Sequence, residues 1–123
     1  MEYVHTNNAP EAIGPYSQAV KVGNLVFTSG QIAINPVTGA VEAQTIEEQT
    51  EQVCKNLSEV LKAAGTDITK AVKTVCFLSD MDNFAKFNEV YGKYFSGKPA
   101  RSCVAVKTLP KNVLVEVDVI AEI

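Results

Sequence analysis

Arg101 is the only arginine in a chain of 123 residues whose other ten basic side chains are all lysine. It opens a strand-like run, Pro99-Ala100-Arg101-Ser102-Cys103-Val104-Ala105-Val106. A guanidinium offers a planar fork that grips a carboxylate with two parallel hydrogen bonds, a geometry lysine cannot supply. The same residue can instead make a buried or interfacial ion pair that sets register. Glu116 interrupts a run of valines, between Val115 and Val117. On a solvated rim it would be an ordinary carboxylate. Covered by a neighbouring chain it would lose hydration, and its pKa would rise toward the working range of an acid–base group. Cys103 follows Arg101 by two residues and reads either as a nucleophile whose thiolate the guanidinium favours or as a packed thiol. It has no nearby histidine to activate it, because the single histidine is His5.

Other chemistries lack their parts. Serine–histidine catalysis would have to recruit His5, and a tetrahedral zinc site would lack its usual ligands. Neither G-x-G-x-x-G nor G-x-x-x-x-G-K-[ST] occurs, so there is no nucleotide-phosphate loop. The three cysteines, Cys54, Cys76 and Cys103, are too few and too far apart for a disulfide framework or a metal-binding pair. Neither a cofactor nor a metal is expected. With a net charge of −3 and dispersed lysines, the chain has no extended basic footprint for nucleic acid or anionic membrane. An N-terminus without a basic-then-apolar pattern, and no apolar run of spanning length, lead us to expect a cytoplasmic protein.

The elements that must position these residues are legible. At 46% apolar and 20% charged, the chain is expected to be one domain over 1–123. Gly23-Asn24 separates strand-like Gln18–Val22 from Leu25–Ser29 as a hairpin turn. Asn35-Pro36-Val37-Thr38-Gly39 is a second turn. Thr45-Ile46-Glu47-Glu48 forms a capping box ahead of an apolar stripe at Ile46, Val53, Leu57, Val60, Leu61 and Ala64, with Gly65 as its stop. Cys54 falls on that stripe. Val72 to Leu78, which contains Cys76, reads as a buried strand. A second helix is expected over Met81 to Phe95, capped by Ser79 or Asp80, with Phe84, Phe87, Tyr91, Tyr94 and Phe95 as its stripe. Asn88 shares that side of the helix, where its amide either satisfies buried backbone or reaches a site. Arg101 to Lys107 and Val113 to Ile123 close the chain as strands, joined by a turn at Leu109-Pro110-Lys111-Asn112. A short strand at residues 2 to 5 is also possible in this pattern.

The order β-β-α-β-α-β-β lacks a regular βαβ repeat and predicts an α+β fold, a mixed sheet with two helices on one face. The uncovered face would carry Arg101, Cys103 and Glu116 among apolar neighbours, and would need a partner. If the last two strands pair antiparallel with Arg101 and Glu116 on one face, opposed residue numbers sum to an odd value, as with Ala105 opposite Glu116.

Gly14-Pro15-Tyr16-Ser17-Gln18-Ala19, Phe27-Thr28-Ser29-Gly30-Gln31-Ile32, Phe87-Asn88-Glu89-Val90-Tyr91, Pro99-Ala100-Arg101-Ser102 and Val115-Glu116 together resemble the reactive-intermediate deaminase (RidA) family. The likeness runs through nearly the whole chain in the same order. It implies a chorismate-mutase-like homotrimer with sites between subunits. The implied reaction is hydrolysis of 2-imino acids, such as 2-iminobutanoate and 2-iminopropanoate, to 2-keto acids and ammonia. Arg101 would bind the carboxylate. Glu116 and the Cys103 carbonyl would orient water, and Tyr16, Ser29, Gly30 and Asn88 would line the pocket. Ala33 stands where many members carry proline, which touches only loop stiffness. Two other readings stay open: an RNA-binding translation inhibitor or ribonuclease, as some relatives are described, and a non-catalytic trimer that senses 2-keto acids.

Overall fold

Strand and helix signals fold into eight elements in the computed structural model, which covers residues 1–123. The strands are β1 (Glu2–Val4), β2 (Ala19–Val22), β3 (Leu25–Thr28), β4 (Ala71–Leu78), β5 (Ala100–Ala105) and β6 (Val115–Glu122). The helices are α1 (Ile46–Ala63), between β3 and β4, and α2 (Phe84–Tyr94), between β4 and β5. Thr45 caps α1 as expected: its side chain accepts from the Glu48 amide while the Glu48 carboxylate accepts from the Thr45 amide. Asp80 accepts from the Asp82 amide and starts a short 3-10 turn, Met81–Asn83, that leads into α2. No helix is long and apolar enough to cross a membrane.

One six-stranded sheet runs in the order β1-β2-β3-β6-β4-β5. The hairpin turn at Gly23-Asn24 pairs Val22 with Leu25. Both helices cover one face. Val53, Leu57, Val60 and Leu61 of α1 and Phe87 of α2 are sealed against Val115, Val117 and Val119 of β6 and Cys76 and Leu78 of β4. Burying each large aliphatic side chain contributes about 1.5–3 kcal/mol, so the valine alternation of β6 decides which way the sheet faces.

The expected pairing of the last two strands is not the observed one. β4 lies between them, pairing antiparallel with β6 and parallel with β5. The physical reason is α2: a helical crossover returns the chain to the starting end of β4, so the next strand must run parallel to it. Phe77, not Ala105, is opposite Glu116. The consequence for faces is large. Thr74 is level with Arg101 on one side and Val119 on the other, and residues level across a sheet point the same way. Arg101 and Cys103 therefore point to the helix-covered face, and Glu116, one position out of phase with Val117, points to the open one. The expectation that all three share the open face is corrected. That face still presents exposed Tyr3, Val22, Phe27 and Val104.

Candidate active site

Arg101 enters the site from the edge strand β5, and α2 receives it. Phe84, Asn88 and Tyr91, spaced four and three apart, lie on one side of that helix. The guanidinium donates from Nη1 to the Asn88 amide oxygen at 2.7 Å. Its central carbon lies 4.8 Å from the Tyr91 ring centroid and 5.3 Å from that of Phe84. The Tyr91 ring is held in turn: its hydroxyl and that of Thr74, both buried, share a hydrogen bond of 2.7 Å. The chain's ion pairs are His5–Glu11, Glu2–Lys21 and Glu59–Lys62, so Arg101 meets a neutral amide and two π faces rather than an acid. No acidic side chain pairs with its other donors.

Cys103 lies two residues along β5, level with Cys76. Burial pushes its thiol pKa up, against the lowering effect of Arg101. The balance works against a thiolate nucleophile at neutral pH.

Glu116 belongs to a second cluster, on the open face. The segment after β3 is fastened to β6 beside it: the Gln31 amide donates to the Val117 carbonyl at 2.9 Å, and the Val117 amide to the Gln31 carbonyl at 3.2 Å. This brings Gly30 onto the glutamate. A Cβ built at Gly30 would overlap a carboxylate oxygen of Glu116 and come within 2.9 Å of its carboxyl carbon. Any larger residue at this position requires the Glu116 side chain to move. The Ser29 hydroxyl donates to the Ser17 carbonyl at 2.6 Å, tying down the residue after Tyr16. Around Glu116 opens a cavity of about 550 Å3 whose wall includes Ile13, Tyr16, Ser29, Gly30 and Ile32. The carboxyl pKa of Glu116 is raised, first by burial and then by the charge of Asp118, whose own pKa burial also raises.

The expected site residues therefore fall into two groups: Arg101, Asn88 and Cys103 toward the helices, and Glu116, Tyr16, Ser29 and Gly30 on the open face. The Asn88 amide oxygen is taken by Arg101 rather than by buried backbone. Two supports escaped the sequence reading. Tyr91, read as core, carries both the ring under Arg101 and the hydroxyl that fixes it. Gln18, buried, accepts from the Thr6 amide at 2.8 Å and donates to the Thr6 and Pro10 carbonyls at 3.0 and 2.8 Å, holding the loop that walls the cavity. Its signal was an amide directly after Gly14-Pro15-Tyr16-Ser17 and at the mouth of an apolar strand.

A family model described as Endoribonuclease L-PSP matches residues 6–123. A Lactococcus lactis protein named as a regulator, AldR, is 49% identical over 124 residues, covering 100% of this chain and 98% of that one. Reactive Intermediate Deaminase A of the Arabidopsis thaliana chloroplast is 49% identical over 98% of this chain and 65% of its own length. This chain belongs to the reactive-intermediate deaminase (Rid) family. A crystal structure of a Rid family protein, YyfA of Yersinia pestis, superposes with a TM-score of 0.96 at 48% identity, covering 99% of this chain and 98% of that one. The Rid fold expected from the sequence, a mixed sheet with two helices, is the fold observed. Names within the Rid family divide among ribonuclease, deaminase and regulator.

Proposed function

We propose that this Rid protein hydrolyses 2-imino acids to 2-keto acids and ammonia, at sites shared between two chains of a homotrimer. The observation that carries this reading is Arg101, a half-buried guanidinium oriented by Asn88 and two aromatic rings and left without an acidic partner. An arrangement of that kind suits a planar carboxylate arriving from outside. Glu116 lies on the opposite face, so one chain's Arg101 meets the Glu116 of a neighbour. A contact that joins unlike faces is head-to-tail, and a rotation of one third of a turn per chain closes it as a trimeric ring. The exposed Tyr3, Val22, Phe27 and Val104 on the open face favour such a cover.

In the shared cleft, Arg101 grips the 2-carboxylate with its remaining donors. The Glu116 carboxylate and the Cys103 carbonyl orient a water against the imine carbon. Glu116 takes the water's proton as oxygen adds to the carbon of the N-protonated imine and the C=N π pair moves to nitrogen, giving a carbinolamine. That proton then passes from Glu116 to nitrogen, the C–N bond breaks to release ammonia, and the hydroxyl proton returns to Glu116 as the keto C=O forms. Tyr16, Ser29 and Gly30 shape the pocket. Imines of this kind also hydrolyse unaided, so positioning supplies the acceleration required.

Generating 2-iminobutanoate with a threonine dehydratase and following its decay tests the reading. Decay should quicken in proportion to added protein, and light scattering should give a trimer. Decay no faster than in buffer, with tight binding of 2-oxobutanoate, would favour the sensing role that the AldR name evokes. RNA binding with steep salt dependence would favour the ribonuclease reading, against which stand the net charge of −3 and the single arginine.

A further inference from the structure

The cavity onto which Arg101 opens holds a second cation. It measures about 520 Å3, and its wall includes Tyr91, Phe95, Lys98 and Arg101 but no acidic residue. Lys98, like Arg101, takes part in none of the chain's ion pairs.

Residues three apart on a regular strand point to opposite sides. Lys98 and Arg101 nevertheless line one cavity, because the Lys98 backbone is left-handed, with φ of 52°. Three restraints hold this turn. A Cβ on Gly97 would overlap the Thr69 carbonyl oxygen. The Lys98 amide donates to the Phe95 carbonyl at 3.2 Å. Pro99 then fixes its own φ and stiffens the entry to β5. Glycine would make a left-handed turn without strain; what lysine adds is a cationic side chain at a position that lines the cavity. At most ~10 Å of backbone separates Lys98 from Arg101, so the two heads can straddle the ends of a short dicarboxylate.

We infer that this cavity is a two-point anion site, in which Arg101 takes the 2-carboxylate and Lys98 a second anionic group of the same ligand. The preferred ligands are then 2-imino dicarboxylates, the imines of acidic amino acids, and their 2-keto products. The inference rests on the carboxylate-binding role proposed for Arg101.

Calorimetric titration of the full chain with 2-oxoglutarate and 2-oxobutanoate reads the second contact without requiring turnover. A charge-assisted contact, discounted for the exposure of Lys98, should make 2-oxoglutarate bind about ten-fold more tightly. Lys98→Met should erase most of that preference, and Lys98→Arg should retain it. Added salt should weaken the dicarboxylate more than the monocarboxylate. Equal affinities, a preference that survives Lys98→Met, or no binding of either keto acid overturns the inference. Turnover separates it from the function proposed above. Iminosuccinate from an aspartate oxidase is compared with 2-iminobutanoate, and a dicarboxylate advantage lost in Lys98→Met supports both ideas. If neither imine decays faster than in buffer while 2-oxoglutarate keeps its Lys98-dependent preference, hydrolysis fails and the two-point site stands.

Discussion

Arg101 and Glu116 make opposite demands on their surroundings. The guanidinium needs orientation without neutralisation, which an amide and two rings provide. Arg101→Lys keeps the charge but replaces two fixed donors by one flexible ammonium. Loss of one charge-assisted hydrogen bond costs roughly 1.5–3 kcal/mol, or about 10- to 150-fold. With added misplacement of the imine carbon, kcat/KM for 2-iminobutanoate should fall by about two orders of magnitude or more. The melting temperature should change little; full activity in a folded lysine variant would remove the carboxylate clamp. Glu116 needs the reverse, a setting that makes its charge uncomfortable. Its folded pKa is raised by burial and by Asp118, so its proton is bound more tightly in the folded chain than in the unfolded one. Stability tied to this group is therefore full below the unfolded glutamate pKa and is lost as pH rises through the folded one. Glu116→Gln should melt higher than the parent at neutral pH, with the gain vanishing below about pH 4, while hydrolysis is abolished. In the parent, the acidic limb of the pH–rate profile should lie above the ordinary glutamate range. A limb at or below that range would detach Glu116 from the chemistry.

Elements bring each residue to its place, and here the sequence was legible in parts. The capping box of α1, the apolar stripes of both helices and the valine alternation of β6 are local patterns with fixed periods, and they folded as they read. The partner of β5 was not local information. It depends on the handed crossover through α2, and pairing neighbours in sequence overlooked it. The same oversight placed Arg101 on the wrong face, although composition had singled it out as the chain's one guanidinium. Tyr91 and Gln18 were hidden for a different reason: an aromatic on a helical stripe and an amide at a strand end look the same whether they fill space or hold a site. Gly30 is the element-level residue open to test. Gly30→Ala forces its methyl against the Glu116 carboxylate, which must swing away. A displacement on the order of 1 Å can cost about 100-fold, so kcat/KM should fall by that amount while Arg101 and its stack are untouched. Wild-type kinetics in Gly30→Ala would mean that Glu116 tolerates relocation and does not position the water.

At the scale of the whole molecule, the proposed reaction draws on both faces of the sheet, Arg101 on one and Glu116 on the other. Arg101→Ala and Glu116→Ala chains should each be inactive, yet mixed trimers should recover activity. In a ring where each site draws one residue from each of two chains, random mixing restores about a quarter of the sites. Recovery is measured by co-refolding the two variants and assaying 2-iminobutanoate decay; none at all would place the chemistry within single chains. The three thiols, finally, lie at two depths of one layer. Cys54 and Cys76 are sealed between α1 and the sheet, and burial pushes the Cys76 thiol up to about 12. Cys103 is only half covered, on the edge strand. A chain that breathes from its margin inward would surrender Cys103 to an alkylating reagent first and the inner pair only on full opening. Where reclosing outpaces labelling, the retardation of Cys76 relative to a free thiol at equal thiolate content gives the free energy of opening the sheet, without denaturant. The chain thus carries its own depth gauge, one sulfur at the rim and two beneath the helix marking how far an opening event has travelled.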